Sequence, residues 1–599
     1  MCGIVGIVGT RPVAQRLFDG LKRLEYRGYD SAGICTIHDG ALDRRRAEGK
    51  LDNLKAELAA DPLPGEVGIA HTRWATHGAP TVGNAHPHIA GNVALVHNGI
   101  IENFKPLRDE LIADGRTFLS ETDSEVVAHL VAREIERGQG PEEAVAAVLP
   151  RLHGAFAIAF LFQDDPDLVV GARMGAPLTV GYGEHENYLG SDALALAPWT
   201  QRIAYLEEGD WAAVRRESIR IFDRDNQPVE RPIVESGATA QPIEKGNYAH
   251  YMQKEIFEQP VVVADTLKSY LRTYEEEIAL PVADADLAKI DRLTIVACGT
   301  SFYAGLIAKY WFEQFARVPV DIDVASEFRY RQPVLEPGGL ALFISQSGET
   351  ADTLAALRHA KDEGQTIAVV VNVPTSSMAR EADWLLPTHA GPEVGVASTK
   401  AFSCQLAVLA ALAAKLARAK GRIGREEERA IVAHLSEAPE AINHALGHDD
   451  DIAAMAHLIA PARDVLYLGR GPDYPMAMEG ALKLKEISYI HAEGYAAGEM
   501  KHGPIALIDD NVPVIVIAPS GPLFEKTVSN MQEVRARGGK IVLISDAKGI
   551  ADAGEGCMAT IEMPEVHPLI APLVYAVPVQ LLAYHVAVLK GTDVDQPRN

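Results

Sequence analysis

The pattern of hydrophobic positions divides the chain into two parts. Before about residue 240, short aliphatic runs at 4–8, 67–70 and 93–96 alternate with amphipathic stretches such as 124–137. Short aliphatic runs are typical of strands, and apolar residues that recur every three or four positions are typical of helices. The pattern therefore predicts an α+β or layered domain in the first part.

The second part alternates aliphatic runs of about five residues with helical patterns of about 12 to 15 residues. This alternation is typical of βαβ units, in which helices connect the strands of a parallel sheet. The polar segment 236–247 contains Gly and Pro and follows neither period. It is the predicted linker, because such segments interrupt regular structure.

The second part also contains an internal repeat. Three strand-and-turn segments recur in the same order: 295–305 with 465–475, 342–353 with 515–526, and 366–372 with 540–546. Two repeats of this size predict a duplicated α/β domain rather than a solenoid. The predicted fold class is a multidomain protein, α+β in its first part and α/β with two parallel sheets in its second.

Charge narrows the range of functions. The 599 residues include 56 Lys and Arg against 82 Asp and Glu, a net charge of −26. This charge repels phosphate backbones and anionic lipids, so we expect small-molecule chemistry with no nucleic acid and no membrane as partner. The uncharged stretch 568–589 contains three prolines and several polar side chains, which favours a buried core helix over a membrane span.

The five cysteines are scattered and include no CxxC pair. This spacing predicts neither a disulfide framework nor a zinc cluster, and it fits a cytoplasmic location. The first residues lack the basic region and the apolar run of a signal peptide. Cys2 is therefore expected near the start of the mature chain.

Cys2 is a candidate nucleophile. Removal of Met1 would give one residue both a thiol and an α-amine, whose ordinary pKa of about 7.7 to 8.0 suits it to accept the thiol proton. The alternative is a buried cysteine without a chemical role.

Three downstream motifs contain polar groups that suit amino-acid chemistry: HTRWATHG at 71–78, HNGIIEN at 97–103 and ETDSE at 121–125. Arg73 can hold a carboxylate and Asp123 can pair with an ammonium group. Asn98 and the Gly99 N–H can form an oxyanion hole. Together with Cys2, these groups could bind an α-amino acid and hydrolyse its side-chain amide.

Five histidines fall within 27 residues, at 71, 77, 86, 88 and 97. Their spacing matches no standard zinc motif, and no thiolate donors lie nearby in sequence. We therefore interpret them as structural and predict no metal site.

In the second part, the motifs CGTS at 298–301 and SQSGET at 345–350 each follow a strand and begin a helix. Open parallel sheets bind ligands at the carboxyl ends of their strands, and hydroxyl groups at helix N-termini suit a phosphate. The chain has no GxxxxGK[ST] motif, which disfavours a nucleotide. Plain helix caps remain the alternative interpretation.

The segment 479–504 places Lys483 and Glu486 on one helix face and His502 in a Gly-bounded loop. Conversion of a ketose to an aldose needs a base that moves a proton between C1 and C2, and an acid–base group that opens the ring. Glu486 and His502 are candidates for these roles. The alternative is a surface ion pair and a loop histidine.

The motifs resemble two families. With YRGYDSAG at 26–33, those of the first part resemble the N-terminal-nucleophile glutaminase domain of the class II glutamine amidotransferases, an αββα layered fold. The two loops on the duplicated scaffold resemble tandem sugar-isomerase (SIS) domains. With 325–331, 395–402 and 591–599 included, the whole chain resembles the bacterial type of the isomerizing glutamine:fructose-6-phosphate aminotransferases.

This resemblance implies glutamine-dependent conversion of fructose 6-phosphate to glucosamine 6-phosphate by a homodimer without a cofactor. It implies catalytic roles for Cys2, Asn98, Gly99, Lys483, Glu486 and His502, the last reaching the neighbouring subunit's site. It implies glutamine binding by Arg73, Thr76, His77 and Asp123, and an ammonia-channel gate at Trp74. Fructose 6-phosphate would be held by Thr300, Ser301, Ser345, Gln346, Ser347, Thr350 and Val396.

The expected domains are a glutaminase domain at 1–240, a linker with connecting helices at 241–285, SIS domains at 286–425 and 458–599, and connecting helices at 426–457. Family members usually continue past the residues that match 597–599 by a short tail, whose lysine closes the sugar site. If the chain ended at Asn599, sugar closure and amination would be in doubt, whereas glutamine hydrolysis would not.

Two other functions remain open. Another class II amidotransferase would need a phosphoribosyl-pyrophosphate or ATP signature, and we find none in the sequence. A phosphosugar-sensing regulator could use tandem SIS domains without chemistry, but it would have no use for Cys2 or for the set of Lys483, Glu486 and His502.

Overall fold

The computed structural model describes residues 2–237 and 244–598, and it divides into two compact units at 1–243 and 244–599. Each unit is described by itself. Residues 238–243 of the predicted linker lie outside the described residues.

The first unit has 15 strands and six α-helices in its described part. In chain order they are β1 (Gly3–Val8), α1 (Ala14–Lys22), β2 (Ser31–His38), β3 (Ala41–Glu48), α2 (Leu51–Ala60), β4 (Val67–Arg73), β5 (His88–Ala90), β6 (Val93–Ile101), α3 (Phe104–Ala113), α4 (Glu125–Glu136), α5 (Pro141–Val148), β7 (Gly154–Phe162), β8 (Val169–Met174), β9 (Thr179–Tyr182), β10 (Asn187–Gly190), α6 (Ala193–Leu196), β11 (Arg202–Tyr205), β12 (Trp211–Val214), β13 (Ile219–Phe222), β14 (Pro228–Val229) and β15 (Val234–Glu235).

These elements form four layers. An eight-stranded sheet, in the order β15-β11-β9-β10-β1-β4-β2-β3, packs on a seven-stranded sheet in the order β14-β13-β12-β8-β7-β6-β5. Helices α1 and α2 cover the first sheet, and α3, α4 and α5 cover the second. Central strands such as β1 and β7 are buried on both faces, which is why they read as continuous apolar runs in the sequence. The predicted αββα layered fold is confirmed.

The second unit contains 12 strands and 13 α-helices in its described part. They are α7 (Tyr251–Lys268), β16 (Leu271–Arg272), β17 (Glu277–Ile278), α8 (Asp284–Leu287), β18 (Leu293–Ala297), α9 (Gly299–Trp311), β19 (Val320–Val324), α10 (Ala325–Arg331), β20 (Leu340–Ser345), α11 (Ala351–Asp362), β21 (Thr366–Val371), α12 (Ser377–Glu381), β22 (Trp384–Pro387), α13 (Lys400–Ala419), α14 (Arg425–Leu446), α15 (Asp449–Ile459), β23 (Asp464–Gly469), α16 (Asp473–Ser488), β24 (His491–Ala496), β25 (Pro513–Ile517), α17 (Phe524–Arg535), β26 (Lys540–Asp546), α18 (Ala547–Ala553), β27 (Ala559–Met563) and α19 (Ala571–Lys590).

The two parallel sheets of this unit have the same strand order. It is β19-β18-β20-β21-β22 in the first repeat and β24-β23-β25-β26-β27 in the second, so the predicted duplication is confirmed. All strands of each sheet are parallel, and the second strand of the repeat lies on one side of the first, whereas the third, fourth and fifth follow on its other side. This change of side is the topological switch point, where open α/β sheets bind ligands beyond their carboxyl ends.

Two helices, α13 and α19, are long and apolar enough to cross a membrane. Their most apolar windows are 94% and 83% buried inside the protein, and both helices belong to the main core of the second unit. Both therefore pack as core helices, which the prolines and polar side chains of 568–589 predicted for α19; no such prediction was made for α13.

Candidate active sites

The first unit contains a small cavity that is partly open to solvent. Its lining includes seven of the glutamine-site candidates named from the sequence: Cys2, Arg73, Trp74, Thr76, His77, Gly99 and Asp123. His86, His97, Thr122 and Ser124 complete the lining. The three motifs at 71–78, 97–103 and 121–125 thus meet around one thiol.

Strand pairing brings Cys2 to this cavity. Cys2 directly precedes β1, which pairs with β4 so that Gly3 lies opposite Thr72. The Trp74 N–H donates to the Cys2 sulfur at 3.2 Å. Burial raises the pKa of the Cys2 thiol, so the thiolate needs a base close to it.

The predicted oxyanion-hole residues lie beside Cys2. The Asn98 side-chain amide donates to the Cys2 carbonyl at 3.1 Å. Gly99 has φ +122°, and a Cβ at this position would come within 2.0 Å of the Ala155 carbonyl oxygen. Only glycine therefore fits at position 99.

His71 holds Asn98 in place. Its Nε2 is 3.1 Å from Asn98 Oδ1 and 2.9 Å from the His97 carbonyl oxygen, so the proton on Nε2 is shared between two acceptors. Burial lowers the pKa of His71 to about 3, which keeps the ring neutral. In the described part of the chain, no group of three or more His, Cys, Asp or Glu side chains could hold a metal ion.

The cavity lining carries one cation and one anion. The Arg73 guanidinium donates to the carbonyls of Gly78 at 2.9 Å and of Ala79 at 3.3 Å. One Asp123 oxygen accepts the Ile101 N–H at 2.8 Å. A guanidinium and a carboxylate around a thiol match the carboxylate and the ammonium of an α-amino acid.

A buried carboxylate shapes the loop that carries Asp123. Glu125 accepts the Leu119 N–H at 2.8 Å, and the N–H and the hydroxyl of Ser120 at 2.7 Å each. Burial by itself would raise the pKa of Glu125, because it disfavours the charged carboxylate. Even so, the nearby His129 and these hydrogen bonds lower the pKa of Glu125 to about 2.

Glu125→Gln is expected to destabilise the first unit by about 1.5 to 3 kcal/mol at pH 7, because it removes hydrogen bonds to a charged group. The folded-state pKa of Glu125 lies below its ordinary value of 4.5, so this stabilisation is present above pH 4.5 and is lost as the pH falls towards 2. Urea unfolding of both proteins should therefore show a difference that shrinks below pH 4.5. If the difference in the free energy of unfolding stayed constant with pH, the stabilising role of the charged Glu125 carboxylate would be contradicted.

The predicted phosphate loops of the first repeat lie at its switch point. CGTS follows β18 and begins α9, while SQSGET follows β20 and precedes α11. Ser345 Oγ accepts the Gly348 N–H at 2.9 Å and lies 3.2 Å from the Thr350 hydroxyl. Thr350 is the N-cap of α11, but its side chain makes no capping hydrogen bond within the described chain. The alternative of a plain cap is therefore not supported for Thr350.

In the second repeat, a carboxylate at the end of β26 occupies the N–H groups of the loop that matches SQSGET. Asp546 accepts the Ser520 N–H at 2.6 Å and the Gly549 N–H at 2.9 Å, and it also binds the Ser520 hydroxyl. The repeat alignment pairs Asp546 with Asn372, which is neutral. An anion would meet a negative charge in the second repeat but not at the corresponding position of the first.

The remaining sugar-site candidates lie around the first repeat and α16. Gln405 donates to the Ser301 hydroxyl at 3.1 Å, and the Val396 N–H donates to the Asp595 carbonyl at 3.0 Å. Gln346 is half-buried, and its carbonyl accepts the Asn372 N–H.

Lys483 and Glu486 form an ion pair on α16, with Nζ and Oε2 2.8 Å apart. The Lys483 side chain is only 1% exposed, so this is not the surface pair of the alternative interpretation. His502 is exposed at the end of a 3₁₀ helix (Ala497–His502) that Gly503 follows, and it has no hydrogen bond or ion pair to the described residues.

Two polar residues of these sites escaped the sequence analysis. Asp30 accepts the Ala75 N–H at 2.7 Å and so fixes the segment that carries Trp74. It lies within YRGYDSAG, but that motif was read only as a resemblance. Glu479 accepts from the Thr300 hydroxyl at 3.3 Å, and its position one helical turn before Lys483 was the available signal.

Comparison with known proteins identifies the domains. A glutamine amidotransferase domain matches residues 71–198, and an SIS domain matches residues 286–415 and 458–590. The structure is similar to that of the C-terminal domain of glucosamine-fructose-6-phosphate aminotransferase from Francisella tularensis. The TM-score is 0.58 and the identity 45%, with 59% of this chain and all of that chain covered.

Full-length relatives are also similar. The glutamine–fructose-6-phosphate aminotransferase (isomerizing) of Zymomonas mobilis is 73% identical over 599 residues, which cover 100% of this chain and 99% of that protein. The protein of the same name from Brucella abortus is 62% identical with the same coverage. Since the identity extends over both units and over all three matched domains, the chain belongs to the family of the isomerizing glutamine–fructose-6-phosphate aminotransferases.

Proposed function

We propose that the protein converts glutamine and fructose 6-phosphate into glutamate and glucosamine 6-phosphate, in amino-sugar biosynthesis. The first unit hydrolyses glutamine to glutamate and ammonia. The second unit adds this ammonia to fructose 6-phosphate, releases water and isomerises the product to the aldose. The observation that carries the proposal is the Cys2 thiol in a cavity that also contains Arg73 and Asp123.

In the glutaminase reaction, the free α-amine of Cys2 takes the thiol proton, and the sulfur attacks the side-chain amide of glutamine. Arg73 and Asp123 hold the α-carboxylate and the α-ammonium of glutamine, with Thr76 and His77 beside them. Asn98 and the Gly99 N–H stabilise the oxyanion. Trp74, whose backbone already contacts Cys2, gates the route by which ammonia leaves.

In the sugar reaction, the phosphate lies at the switch point of the first repeat. The proposed binding residues are Thr300, Ser301, Ser345, Gln346, Ser347, Thr350 and Val396. Glu486 moves the proton between C1 and C2, and Lys483 assists it through their ion pair. His502 opens the sugar ring.

We further propose a homodimer in which His502 reaches the site of the neighbouring subunit. His502 lies outside the buried contacts of α16, in an exposed segment bounded by glycines, which supports this arrangement. The five free cysteines support a cytoplasmic location.

The reaction is tested by incubating the protein with both substrates and measuring glutamate and glucosamine 6-phosphate. We expect equal amounts of the two products, and no glucosamine 6-phosphate when fructose 6-phosphate is omitted. Glutamate formation without any amino sugar, at saturating fructose 6-phosphate, would contradict the proposal.

Ser347→Ala is expected to weaken fructose 6-phosphate binding about 10- to 150-fold, because a hydroxyl that bonds a charged phosphate contributes roughly 1.5 to 3 kcal/mol. Calorimetric titration with fructose 6-phosphate measures this effect, and hydrolysis of glutamine alone should stay unchanged. Ser520→Ala in the matching loop of the second repeat is the matched control, with no expected effect. Unchanged affinity in Ser347→Ala would mean that Ser347 only shapes its loop, where its hydroxyl accepts the Glu349 N–H at 3.2 Å.

A further inference from the structure

Helix α16 has three ionisable side chains on one face. Glu479, Lys483 and Glu486 are spaced four and three residues apart, so they project in the same direction. Lys483 Nζ lies 2.8 Å from Glu486 Oε2 and 3.8 Å from Glu479 Oε1. The side chains of Glu479 and Lys483 are 0% and 1% exposed, whereas that of Glu486 is 27% exposed. One buried cation therefore faces two carboxyl groups.

Charge balance requires one of these carboxyl groups to be neutral. Two ionised carboxylates would leave a negative charge without compensation in a water-excluded place. Glu479 is the deeper of the two, and burial raises its pKa to about 8, with Lys483 acting against this rise and Glu486 adding to it. Thr300 and Tyr303 of the facing helix α9 also interact with Glu479. Glu393, in the segment between β22 and α13, interacts with Lys483.

One hydrogen bond joins Glu479 to the facing helix. The Thr300 hydroxyl donates to Glu479 Oε1 at 3.3 Å, so this oxygen acts as the acceptor. Glu479 Oε2 is buried and has no hydrogen-bond partner in the described part of the chain, and burial without a partner disfavours the ionised form of the carboxyl group. Glu479 thereby connects α9 of the first repeat with Lys483 of the second.

We propose that Glu479 is a positioning residue for the sugar reaction: as a neutral acid it lies between Lys483 and Thr300 and does not compete with Glu486 for the charge of Lys483. Glu486 must be a carboxylate before it takes the C1 proton, and the nearby positive charge of Lys483 favours that form. An ionised Glu479 would compete for Lys483 and loosen its hold on Glu486. This inference rests on the function proposed for the second unit.

The test compares Glu479→Gln with Glu479→Leu over pH 6.5 to 9.5 in the full-length protein. Glutamine has the shape of the neutral acid and can accept from Thr300, but it cannot ionise. Leucine keeps the volume and loses both contacts. Formation of glucosamine 6-phosphate at saturating substrates gives kcat, and glutamine hydrolysis is followed in parallel at each pH. Glu428→Gln, at a buried carboxylate that binds Arg418 and the Ile278 N–H, is the matched control.

We expect Glu479→Gln to keep kcat at pH 7 within about threefold and to shift the alkaline decline of kcat upwards by about one pH unit or more. Glu479→Leu should lose on the order of 10-fold or more in kcat because it releases Lys483, and its KM for fructose 6-phosphate should also rise because Thr300 of the phosphate loop loses its acceptor. The inference is overturned if Glu479→Gln keeps the parental alkaline decline, or if it has lost its activity at pH 7.

The outcomes also separate this inference from the proposed function. If the parent protein and Glu428→Gln form no glucosamine 6-phosphate, the proposed function fails. If both are active, the pH profile of Glu479→Gln decides the role of Glu479 even when Glu479→Leu does not fold.

Discussion

Replacing Cys2 by alanine is expected to abolish glutamine hydrolysis, with a loss of at least about 10⁴-fold in kcat, because no other thiol lies in the described cavity lining to replace the nucleophile. Slow synthesis from a high concentration of ammonia should remain, since the phosphate loops and the Lys483–Glu486 pair belong to the other unit. Glutamate release and glucosamine 6-phosphate formation, measured on the same preparation, read the two half-reactions separately.

The α-amine of Cys2 can be tested without changing the thiol. Protein that keeps Met1, verified by mass spectrometry, should behave like Cys2→Ala, because the nitrogen is then an amide and cannot accept the thiol proton. Cys35→Ala is the control: this thiol lies in the core between the two sheets, and its loss should leave both activities in place. Full glutaminase activity in Cys2→Ala or in the Met1 form would disprove the N-terminal nucleophile.

Glu486→Gln and His502→Ala should each lower the rate of sugar isomerisation by roughly 10²- to 10⁴-fold, the usual contribution of a proton-transfer group. Both proteins should still bind fructose 6-phosphate, because the phosphate loops lie in the first repeat. Isomerisation and binding should therefore separate in the two variants. Loss of binding together with activity would indicate that the substitutions disturb the fold rather than the chemistry.

Mixing the two inactive variants tests whether the proposed site is shared between subunits. After subunit exchange about half of the dimers are mixed, and each mixed dimer has one site with an intact Glu486 from one chain and an intact His502 from the other. About one quarter of the parental activity should return. Glu486→Gln mixed with the double variant is the matched control and should show no recovery. If exchange is demonstrated and the first mixture also stays inactive, the two residues serve the same chain's site.

The layered and parallel-sheet folds could be predicted because their signals are local. The central strands of both units are buried on two faces, which makes them aliphatic runs, and the amphipathic stretch 124–137 became α4. The duplication was also visible in the sequence, since the same strand-and-turn segments return in the same order. The strand orders of the sheets were not visible, because strands of one sheet can be far apart along the chain.

The site was predictable as a set of residues but not as a network. Motifs in the sequence point to Cys2, Arg73, Asn98 and Asp123, because turn and helix-start patterns extend over only a few residues. They do not identify Asp30 as the acceptor that fixes Ala75, or Glu479 as the partner of Thr300. These contacts join residues 45 and 179 positions apart, and no local pattern encodes them.

By itself, the sequence determined the types of secondary structure, the internal repeat and the chemistry of the candidate side chains, all of which depend on neighbouring residues. Only the tertiary structure decided which candidates meet. Antiparallel pairing of β1 with β4 brings Cys2 to Trp74, and the packing of α9 on α16 brings Thr300 to Glu479. It also separated the two repeats chemically, because Asp546 at the end of β26 occupies the N–H groups of Ser520 and Gly549, which an anion would need. Burial and charge balance are properties of such assembled surroundings, and for that reason a single helix face can hold one neutral acid beside one ion pair.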